Sequence, residues 1–351
     1  MEQKILELLS TISHPEMEGD IVSTGIARDL KYTDQKINLS LYFPKSRDPF
    51  AMSIKRKVYD ALKEMFPTHD EINVFIKEQT PAAKPKVEEK TGKIAGVRNL
   101  VAVASGKGGV GKSTVTANLA VALTKLGYKV GILDADIYGP SQPKMFGVEG
   151  FMPPLIESDG KEWIGPAESR DIAIMSIGFF IKDTDALVWR GPMATNALKQ
   201  MIHQTGWGEL DFLLIDLPPG TGDVHLSIVQ ELKLDGAVIV TTPGEVALAD
   251  VRRGIKMFRA DGIDVSVWGI VENMAWFTPE ELPNNRYYIF GKDTIAPFAA
   301  AESVDIIGQV PIIQSVSEGG NSGTPASSID SRVAEYYQEI ARKVVDKSQK
   351  E

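Results

Sequence analysis

A glycine-rich loop constrains the fold of this chain more than any other feature of its sequence. Residues 106–113 read GKGGVGKS and match the P-loop pattern G-x-x-x-x-G-K-[ST]. An apolar run at residues 100–103 leads into the loop as a strand, and residues 114–126, closed by Gly127, lead out of it as a helix. Because the pattern works between a strand and a helix N-terminus, it predicts an α/β sheet with a phosphate site at its edge.

The residue types in the loop indicate how it would hold phosphate. Glycines let successive backbone N–H groups converge on phosphate oxygens, and the helix N-terminus adds a favourable partial charge. Lys112 is expected to neutralise the β- and γ-phosphates of ATP, and Ser113 to bind Mg²⁺. The residues expected to contact the nucleotide here are Gly106, Lys107, Gly108, Gly109, Val110, Gly111, Lys112, Ser113 and Thr114.

Aspartates at the ends of two further apolar runs complete the predicted phosphoryl-transfer site. Asp216 follows residues 212–215 and precedes a Gly/Pro-rich loop, so it suits a water-mediated contact to Mg²⁺. Asp134 and Asp136 end the run VGILDAD, where one could orient Mg²⁺ and the other the attacking water. We assign the metal to Asp134 and the water to Asp136. For any single one of these aspartates, a helix N-cap is the alternative interpretation.

The apolar pattern divides the chain into two domains. Residues 1–80 combine helical spacing with alternating strands and predict a small α+β domain. Residues 81–97 are rich in proline and charge, as in a solvated linker. Residues 98–347 repeat short Val/Ile/Leu runs followed by helical stretches, which is typical of strands buried on both faces. We therefore expect an α/β fold with a doubly wound, mainly parallel sheet behind the small domain.

Charge and composition exclude several classes of function. The formal net charge is −9, so the field of the whole molecule repels nucleic acid and anionic membranes. No run approaches the roughly 18 apolar residues of a membrane helix, and the acidic N-terminus lacks a secretory pattern. We expect a cytoplasmic protein without nucleic-acid binding or stable membrane association. The chain has no cysteine, so it offers no thiol nucleophile and no thiolate ligand for a metal.

Lys107 is a second lysine inside the loop, which an ordinary P-loop does not require. The spelling KGGVGKS resembles the deviant Walker A loop of the MinD, ParA, ArsA and nitrogenase-iron-protein class. In that class, the corresponding lysine reaches across a dimer interface to the partner's nucleotide. The resemblance implies a homodimer in which Lys107 takes part in catalysis.

Six further blocks carry a closer resemblance. They read DADIYGPSQPKMFG (134–147), SIGFF (176–180), WRGPM (189–193), DLPPGTGDVHLS (216–227), TTPGEVALADVRRG (241–254) and VENMAWF (271–277). Over residues 95–345 the chain resembles the Mrp/ApbC family, ATPases that carry and deliver iron-sulfur clusters, and residues 14–30 are similar to a PaaD-like domain tied to iron-sulfur assembly. The resemblance implies a slow ATP hydrolase with iron-sulfur scaffold or apo-client partners. It also implies that Asn273 reads the adenine edge and that Val310 and Pro311 close over the base.

The chain departs from that family at one point. Its members usually carry C-x-x-C after the ENM block, whereas residues 277–291 here read FTPEELPNNRYYIFG. An iron-sulfur cluster is thus expected from the family but without cysteine ligands in this chain, and Glu280 and Glu281 are hard donors that suit a soft cluster poorly. Two alternatives stay open: a MinD/ParA-like positioning ATPase that binds membrane or DNA, and an Mrp-like ATPase that has lost cluster carriage and serves another client.

Overall fold

The computed structural model describes residues 2–15, 19–33, 36–43, 48, 50–67, 71–78, 93–158, 160–180 and 191–350. The chain divides into two compact units, Met1–Glu89 and Lys90–Glu351, and each is described by itself. Residues 81–92 of the expected linker, and Trp189 and Arg190 of the WRGPM block, lie outside the described residues. Within the described part of the chain, no helix has the length and apolarity needed to cross a membrane.

The first unit is a small three-stranded sheet with two helices. Its elements are α1 (Glu2–Leu9), β1 (Ala27–Thr33), β2 (Lys36–Phe43), α2 (Ala51–Met65) and β3 (Glu71–Glu78). Strand β2 lies in the centre, antiparallel to β1 and parallel to β3. Ile54, Val58 and Leu62 recur at helical spacing on α2 and are buried against Leu39 and Leu41 of β2. The predicted α+β domain is confirmed.

The second unit is built on a sheet of eight strands. Its strands in chain order are β4 (Val97–Ser105), β5 (Val130–Asp134), β6 (Leu155–Ser158), β7 (Lys161–Ile164), β8 (Ala167–Ser169), β9 (Ile172–Ser176), β10 (Leu210–Asp216), β11 (Gly236–Thr241), β12 (Val267–Phe277) and β13 (Ile306–Ile312). The order across the large sheet is β13-β12-β11-β4-β10-β5-β9-β8, and β6 and β7 form a separate hairpin. Neighbouring strands are parallel except β8, which runs antiparallel to β9.

Helices cover both faces of this sheet. They are α3 (Lys112–Lys125), α4 (Gln142–Met145), α5 (Gly191–Gln204), α6 (Asp223–Glu231), α7 (Glu245–Phe258), α8 (Ile295–Glu302), α9 (Gln314–Asn321) and α10 (Ser331–Ser348). Leu100 and Ala102 of β4 belong to a core that includes residues of α5 to α8, while Val101 and Val103 belong to a core that includes residues of α3 and α10. Successive side chains of a strand point to opposite faces, so both faces of β4 are buried. The predicted doubly wound, mainly parallel sheet is confirmed.

The topology brings the carboxyl ends of β4, β5 and β10 together. Strand β10 lies between the other two, and Asp216 is in register with Val103 on one side and Asp134 on the other. The loop after β4 runs directly into the N-terminus of α3. In an open parallel sheet, this is the edge at which ligands bind.

Candidate functional site

Three glycines of the loop between β4 and α3 have a backbone conformation or a close contact that disfavours a side chain. Gly109 and Gly111 have φ angles of 80° and 83°, in the left-handed region that favours glycine. A Cβ on Gly111 would lie 2.3 Å from Nδ2 of Asn273, and one on Gly106 would lie 2.6 Å from the backbone of Asp250 in α7. At Gly106 and Gly111 the backbone of the loop is therefore closely packed against neighbouring segments.

Lys112 lies at the floor of the loop between two carboxylates. Its Nζ is 2.5 Å from Oδ1 of Asp216 and 3.6 Å from Oδ2 of Asp136, and the lysine is 6% exposed. Burial opposes the charge of Lys112, but Asp216 and Asp136 outweigh it, so the pKa of Lys112 is raised above its ordinary value. The site thus holds a buried ammonium group that stays charged at neutral pH.

Asp216 is held by donors on both of its oxygens. In addition to Lys112, the hydroxyl of Thr116 donates to Oδ1 at 3.3 Å, and Nε2 of Gln142 donates to Oδ2 at 2.8 Å. Gln142 also donates to the carbonyl of Ser113 at 3.0 Å and is fully buried. The sequence pattern did not mark Gln142, because a polar residue in a loop after a strand carries no signal of burial.

Asp134 accepts hydrogen bonds from the backbone of the loop that follows β5. Its Oδ2 accepts hydrogen bonds from the backbone N–H groups of Ser141 and Gln142 and from the hydroxyl of Ser176, at 3.0 to 3.1 Å. Its Oδ1 accepts from the backbone of Asp136 at 3.3 Å. Burial, and next the charge of Asp216, raise the pKa of Asp134 to about 7. The structure therefore gives this carboxylate four protein donors, where the sequence indicated a magnesium ligand.

Asp136, unlike Asp134, faces a cavity next to the P-loop. It is among the residues that line a cavity of about 200 Å³ with the P-loop and Pro219. Burial raises the pKa of Asp136, against the opposing charge of Lys112. Its Oδ1 is buried without a hydrogen-bond partner among the described residues, and so are Oγ of Ser141 and Oε1 of Gln142.

These oxygens allow a test of whether the site suits Mg²⁺. Mg²⁺ prefers oxygen ligands, keeps several waters, and in nucleotide sites is held by few protein groups. Buried oxygens without partners cost free energy unless a ligand or water satisfies them. One such oxygen, Oδ1 of Asp136, belongs to a residue that lines the P-loop cavity together with Ser113, and carboxylate and hydroxyl oxygens are hard donors. The residues present therefore fit a hydrated Mg²⁺.

The loop from Leu217 to Gly222 approaches the P-loop from the other side. Backbone N–H groups of Leu217 and Gly220 donate to the carbonyls of Val103 and Ser105 at 3.1 and 3.0 Å. Nδ1 of His225, in α6, lies 3.2 Å from the carbonyl of Pro218. Burial lowers the pKa of His225 to about 4, so the ring is neutral at pH 7 and Nδ1–H donates to this carbonyl.

Lys107, Asn273 and Pro311 are the remaining residues predicted for the nucleotide site, and of these Lys107 lines the P-loop cavity. Lys107 is half-buried, its carbonyl accepts from the hydroxyl of Ser105 at 3.0 Å, and its side chain has no ion-pair partner within the described residues. Asn273 is buried and its Nδ2 donates to the carbonyl of Val110 at 2.9 Å. Val310 is its register partner on β13, so Pro311 follows immediately beside it. Asn273 thus lies against the P-loop, next to the segment expected to cover the base.

The segment at the position of the C-x-x-C motif, residues 277–291, forms no metal-binding cluster among the described residues. This segment begins at Phe277, the last residue of β12, and Phe277 and Tyr287 exchange backbone hydrogen bonds of 2.8 Å. Glu280 and Glu281 are exposed. Across the described residues, no group of three or more His, Asp or Glu side chains is arranged to hold a metal ion.

Comparison with known proteins agrees with this architecture. The family model described as NUBPL iron-transfer P-loop NTPase matches residues 96–345, and the model of iron-sulfur cluster assembly proteins matches residues 2–74. An iron-sulfur cluster carrier protein of Aquifex aeolicus (strain VF5) is 44% identical, and the match covers 96% of each chain.

Two solved structures show the same fold in the large unit. A nucleotide-binding protein from Archaeoglobus fulgidus, solved in complex with ADP, is 38% identical with a TM-score of 0.58, over 69% of this chain and 92% of that one. The cell-division ATPase MinD of Pyrococcus furiosus has a TM-score of 0.53 at 20% identity, over 71% of this chain and 99% of that one. The resemblance seen in the sequence blocks is confirmed by the family match: this chain belongs to the NUBPL iron-transfer P-loop NTPases, among the iron-sulfur cluster carrier proteins.

Proposed function

We propose that this chain binds and hydrolyses MgATP as a homodimer and acts in iron-sulfur cluster assembly or delivery. The observation that carries the proposal is the buried Lys112 at the base of a P-loop, with Asp216 and Asp136 beside it. A charged lysine, glycine backbone N–H groups and two carboxylates at one sheet edge are the parts that phosphoryl transfer requires.

Each of these residues has a role in the proposed reaction. Lys112 and the loop N–H groups bind the β- and γ-phosphates. Mg²⁺ would be held by Ser113 and, through water, by Asp216, and it would neutralise charge on those phosphates. Asp136 orients the attacking water through its Oδ1, and the water adds to the γ-phosphorus as the bond to the bridging oxygen breaks. ADP and inorganic phosphate are the products.

Other residues are proposed to position these groups or to contact other parts of the nucleotide. Asp134, which the sequence indicated as a metal ligand, supports the site by fixing the loop that carries Asp136. Lys107 is proposed to reach the nucleotide of the partner subunit, since it is partly exposed on the loop and has no ion pair among the described residues. Asn273 and Pro311 are proposed to lie at the adenine end of the site.

In this proposal, an iron-sulfur cluster is a cargo that the protein helps to transfer, and it is not a cofactor bound by thiolates of this chain. Because the chain has no cysteine, thiolate ligands for a cluster must come from a scaffold, a client or a small thiol. Anaerobic reconstitution with iron and sulfide should leave the purified chain colourless, and a brown protein with iron-sulfur absorption bands would contradict this part of the proposal.

The lack of cysteine also favours a second candidate, an ATPase of this family that serves a client without a cluster. Affinity purification in the presence of ATP separates the two. Iron-sulfur scaffold or apo-proteins that elute with the wild type and are lost with Lys112→Ala support the proposed function. Their absence from both eluates would favour the second candidate.

Nucleotide binding can be tested directly. A fluorescent ADP analogue should bind the wild type in the presence of Mg²⁺, and Lys112→Ala should weaken binding by on the order of tenfold or more, since a charge-assisted contact contributes about 1.5–3 kcal/mol. Equal affinities of the two proteins would remove Lys112 from the phosphate site.

A further inference from the structure

The middle of the loop of residues 217–222 cannot donate backbone hydrogen bonds. Pro218 and Pro219 have no N–H group, so their backbone can take part in hydrogen bonds only through the carbonyls. On either side of the two prolines, the N–H groups of Leu217 and Gly220 donate to carbonyls of β4. The position of the segment between these two anchors therefore depends on donors from elsewhere in the chain.

Two close approaches show where this loop meets the P-loop. A Cβ on Gly108 would lie 4.0 Å from Cβ of Pro219, and a Cβ on Gly220 would lie 3.9 Å from the carbonyl oxygen of Gly106. Pro219 also lines the P-loop cavity together with Asp136. In the proposed reaction Asp136 orients the water that attacks the γ-phosphate, so the loop borders the part of the site in which ATP differs from ADP.

His225 of α6 supplies a donor to the middle of the loop. The residue is 2% exposed, and its Nδ1 lies 3.2 Å from the carbonyl oxygen of Pro218. Burial, together with the charge of Lys112, lowers the pKa of His225 to about 4, so at pH 7 the ring is neutral and carries a single N–H. Because a carbonyl can only accept a hydrogen bond, this hydrogen is on Nδ1.

Packing alone does not explain a polar ring at this position. Nε2 of His225 is buried and has no hydrogen-bond partner in the part of the chain that the structure describes, a condition that costs free energy. The ring packs against Phe258 of α7, with 5.9 Å between the ring centroids, where an apolar side chain would avoid that cost. The polar contact that His225 does make is directed at the loop.

We propose that His225 is a positioning residue for ATP hydrolysis, which holds the loop of residues 217–222 at its distance from the γ-phosphate through the carbonyl of Pro218. The inference rests on the proposed nucleotide function and assigns a residue that the P-loop pattern does not contain. ADP ends at the β-phosphate, which the P-loop N–H groups and Lys112 bind, so ADP binding does not depend on this loop. A loop released from His225 leaves ADP binding intact and slows the attack on the γ-phosphate.

His225→Leu and His225→Asn form a matched pair for the test. Leucine removes the donor, whereas the amide nitrogen of asparagine is as many bonds from Cα as Nδ1 of histidine and keeps it. We measure kcat and KM for phosphate release from ATP with Mg²⁺, and the Kd of a fluorescent ADP analogue. In His225→Leu, kcat should fall about tenfold, because displacement of a positioned group slows the chemical step, while the Kd for the ADP analogue changes less than about twofold. In His225→Asn, kcat should stay within about threefold of the wild type.

The split between kcat and ADP affinity separates positioning from a merely structural role. A structural role would weaken ADP binding along with kcat. Wild-type kcat in folded His225→Leu, or a tenfold loss in His225→Asn, would also overturn the proposal. His225→Met takes the place of the leucine variant if circular dichroism shows that the latter does not fold.

His203→Leu, at an exposed position of α5, is the control and should behave as the wild type in both assays. Failure of the wild type to release phosphate would overturn the proposed ATP hydrolysis itself. Phosphate release by the wild type with no effect of the His225 variants would overturn only the role of His225.

Discussion

At the scale of single residues, the site depends on Lys112 keeping its charge while it is buried. A lysine in a dry environment loses its proton unless carboxylates surround it, and Asp216 and Asp136 supply that compensation. The reverse also holds, because the charge of Lys112 offsets part of the cost of burying the two carboxylates. The residues that would bind phosphate therefore also stabilise the folded state.

Replacing Lys112 should accordingly lower stability as well as function. In Lys112→Met, Asp216 and Asp136 lose their positive partner inside the protein, so we expect the free energy of unfolding of the large unit to fall by about 3 kcal/mol at pH 7. Urea denaturation followed by circular dichroism measures the change. Lys129→Met, at an exposed lysine, should have little effect, and equal stability of the two variants would argue against a structural role for the charge pair.

His225 predicts a specific pH dependence. Its folded-state pKa of about 4 lies below the ordinary value of 6.5, so the unfolded chain takes up the proton first as pH falls. The stability contributed by the neutral ring is present above pH 6.5 and is lost as pH falls through 4.

His225→Asn keeps a donor near Pro218 and removes the titration. Between pH 6.5 and pH 4 this variant should lose up to about 3 kcal/mol less stability than the wild type, from the conversion of pKa shift to free energy. Urea denaturation at a series of pH values tests this, with His203→Asn at an exposed position of α5 as the control. Parallel pH profiles for wild type and His225→Asn would contradict it.

At the scale of elements, the sequence predicted those with a strong hydrophobic period. The buried strands of the large sheet and helix α2 follow from runs such as FLLID and from Ile54, Val58 and Leu62. Strand β1 was not predicted, because ARDLKYT is polar and its pairing with β2 is interrupted between Arg28 and Lys31. The short strands β6 to β8 were missed for a similar reason, since three or four residues carry no measurable period.

The features of the site also divide into those that could be predicted from the sequence and those that could not. Residues 106–113 could be placed between a strand and a helix from their spelling alone, because that spelling requires this context. The hydrogen-bond donors to Asp134 and the contacts of Gln142 could not be predicted from the sequence, because they depend on how β5, β9 and β10 lie side by side. A sequence pattern marks a carboxylate but not the number of donors that surround it.

The junction of loop and α3 allows a matched comparison of two glycines. Gly109 and Gly111 both have positive φ angles, but a Cβ has open space at Gly109 and meets Asn273 at Gly111. Gly109→Ala should cost about 1 kcal/mol from backbone strain alone. Gly111→Ala should cost about 3 kcal/mol, because it also disrupts the hydrogen bond from Asn273 to Val110. Equal losses in urea denaturation would show that the contact with Asn273 yields easily.

At the scale of the whole molecule, the chain combines the P-loop of an NTPase family with a sequence that contains no cysteine. The small unit matches iron-sulfur cluster assembly proteins and the large unit matches iron-transfer NTPases. The proposed division of labour is that nucleotide state changes the affinity between subunits and for a client, while the thiolates belong to another molecule. In the proposed homodimer, Lys107 would couple the two subunits.

Lys107→Ala tests nucleotide binding and ATP-dependent dimerisation separately. Affinity for the fluorescent ADP analogue should change by less than about threefold, because the backbone N–H groups and Lys112 remain. ATP-dependent dimerisation, followed by light scattering coupled to gel filtration, should be lost. Dimerisation that persists with ATP in the variant would remove Lys107 from the subunit interface.

Release of inorganic phosphate from ATP tests the central claim most directly. The purified wild type should release phosphate in the presence of Mg²⁺ and not in EDTA, and Lys112→Ala and Asp136→Asn should each lower the rate by on the order of 100-fold, as expected when a charge-stabilising or water-orienting group is removed. A wild-type rate that is independent of Mg²⁺, or equal to that of both variants, would contradict the assignment of this site to MgATP hydrolysis.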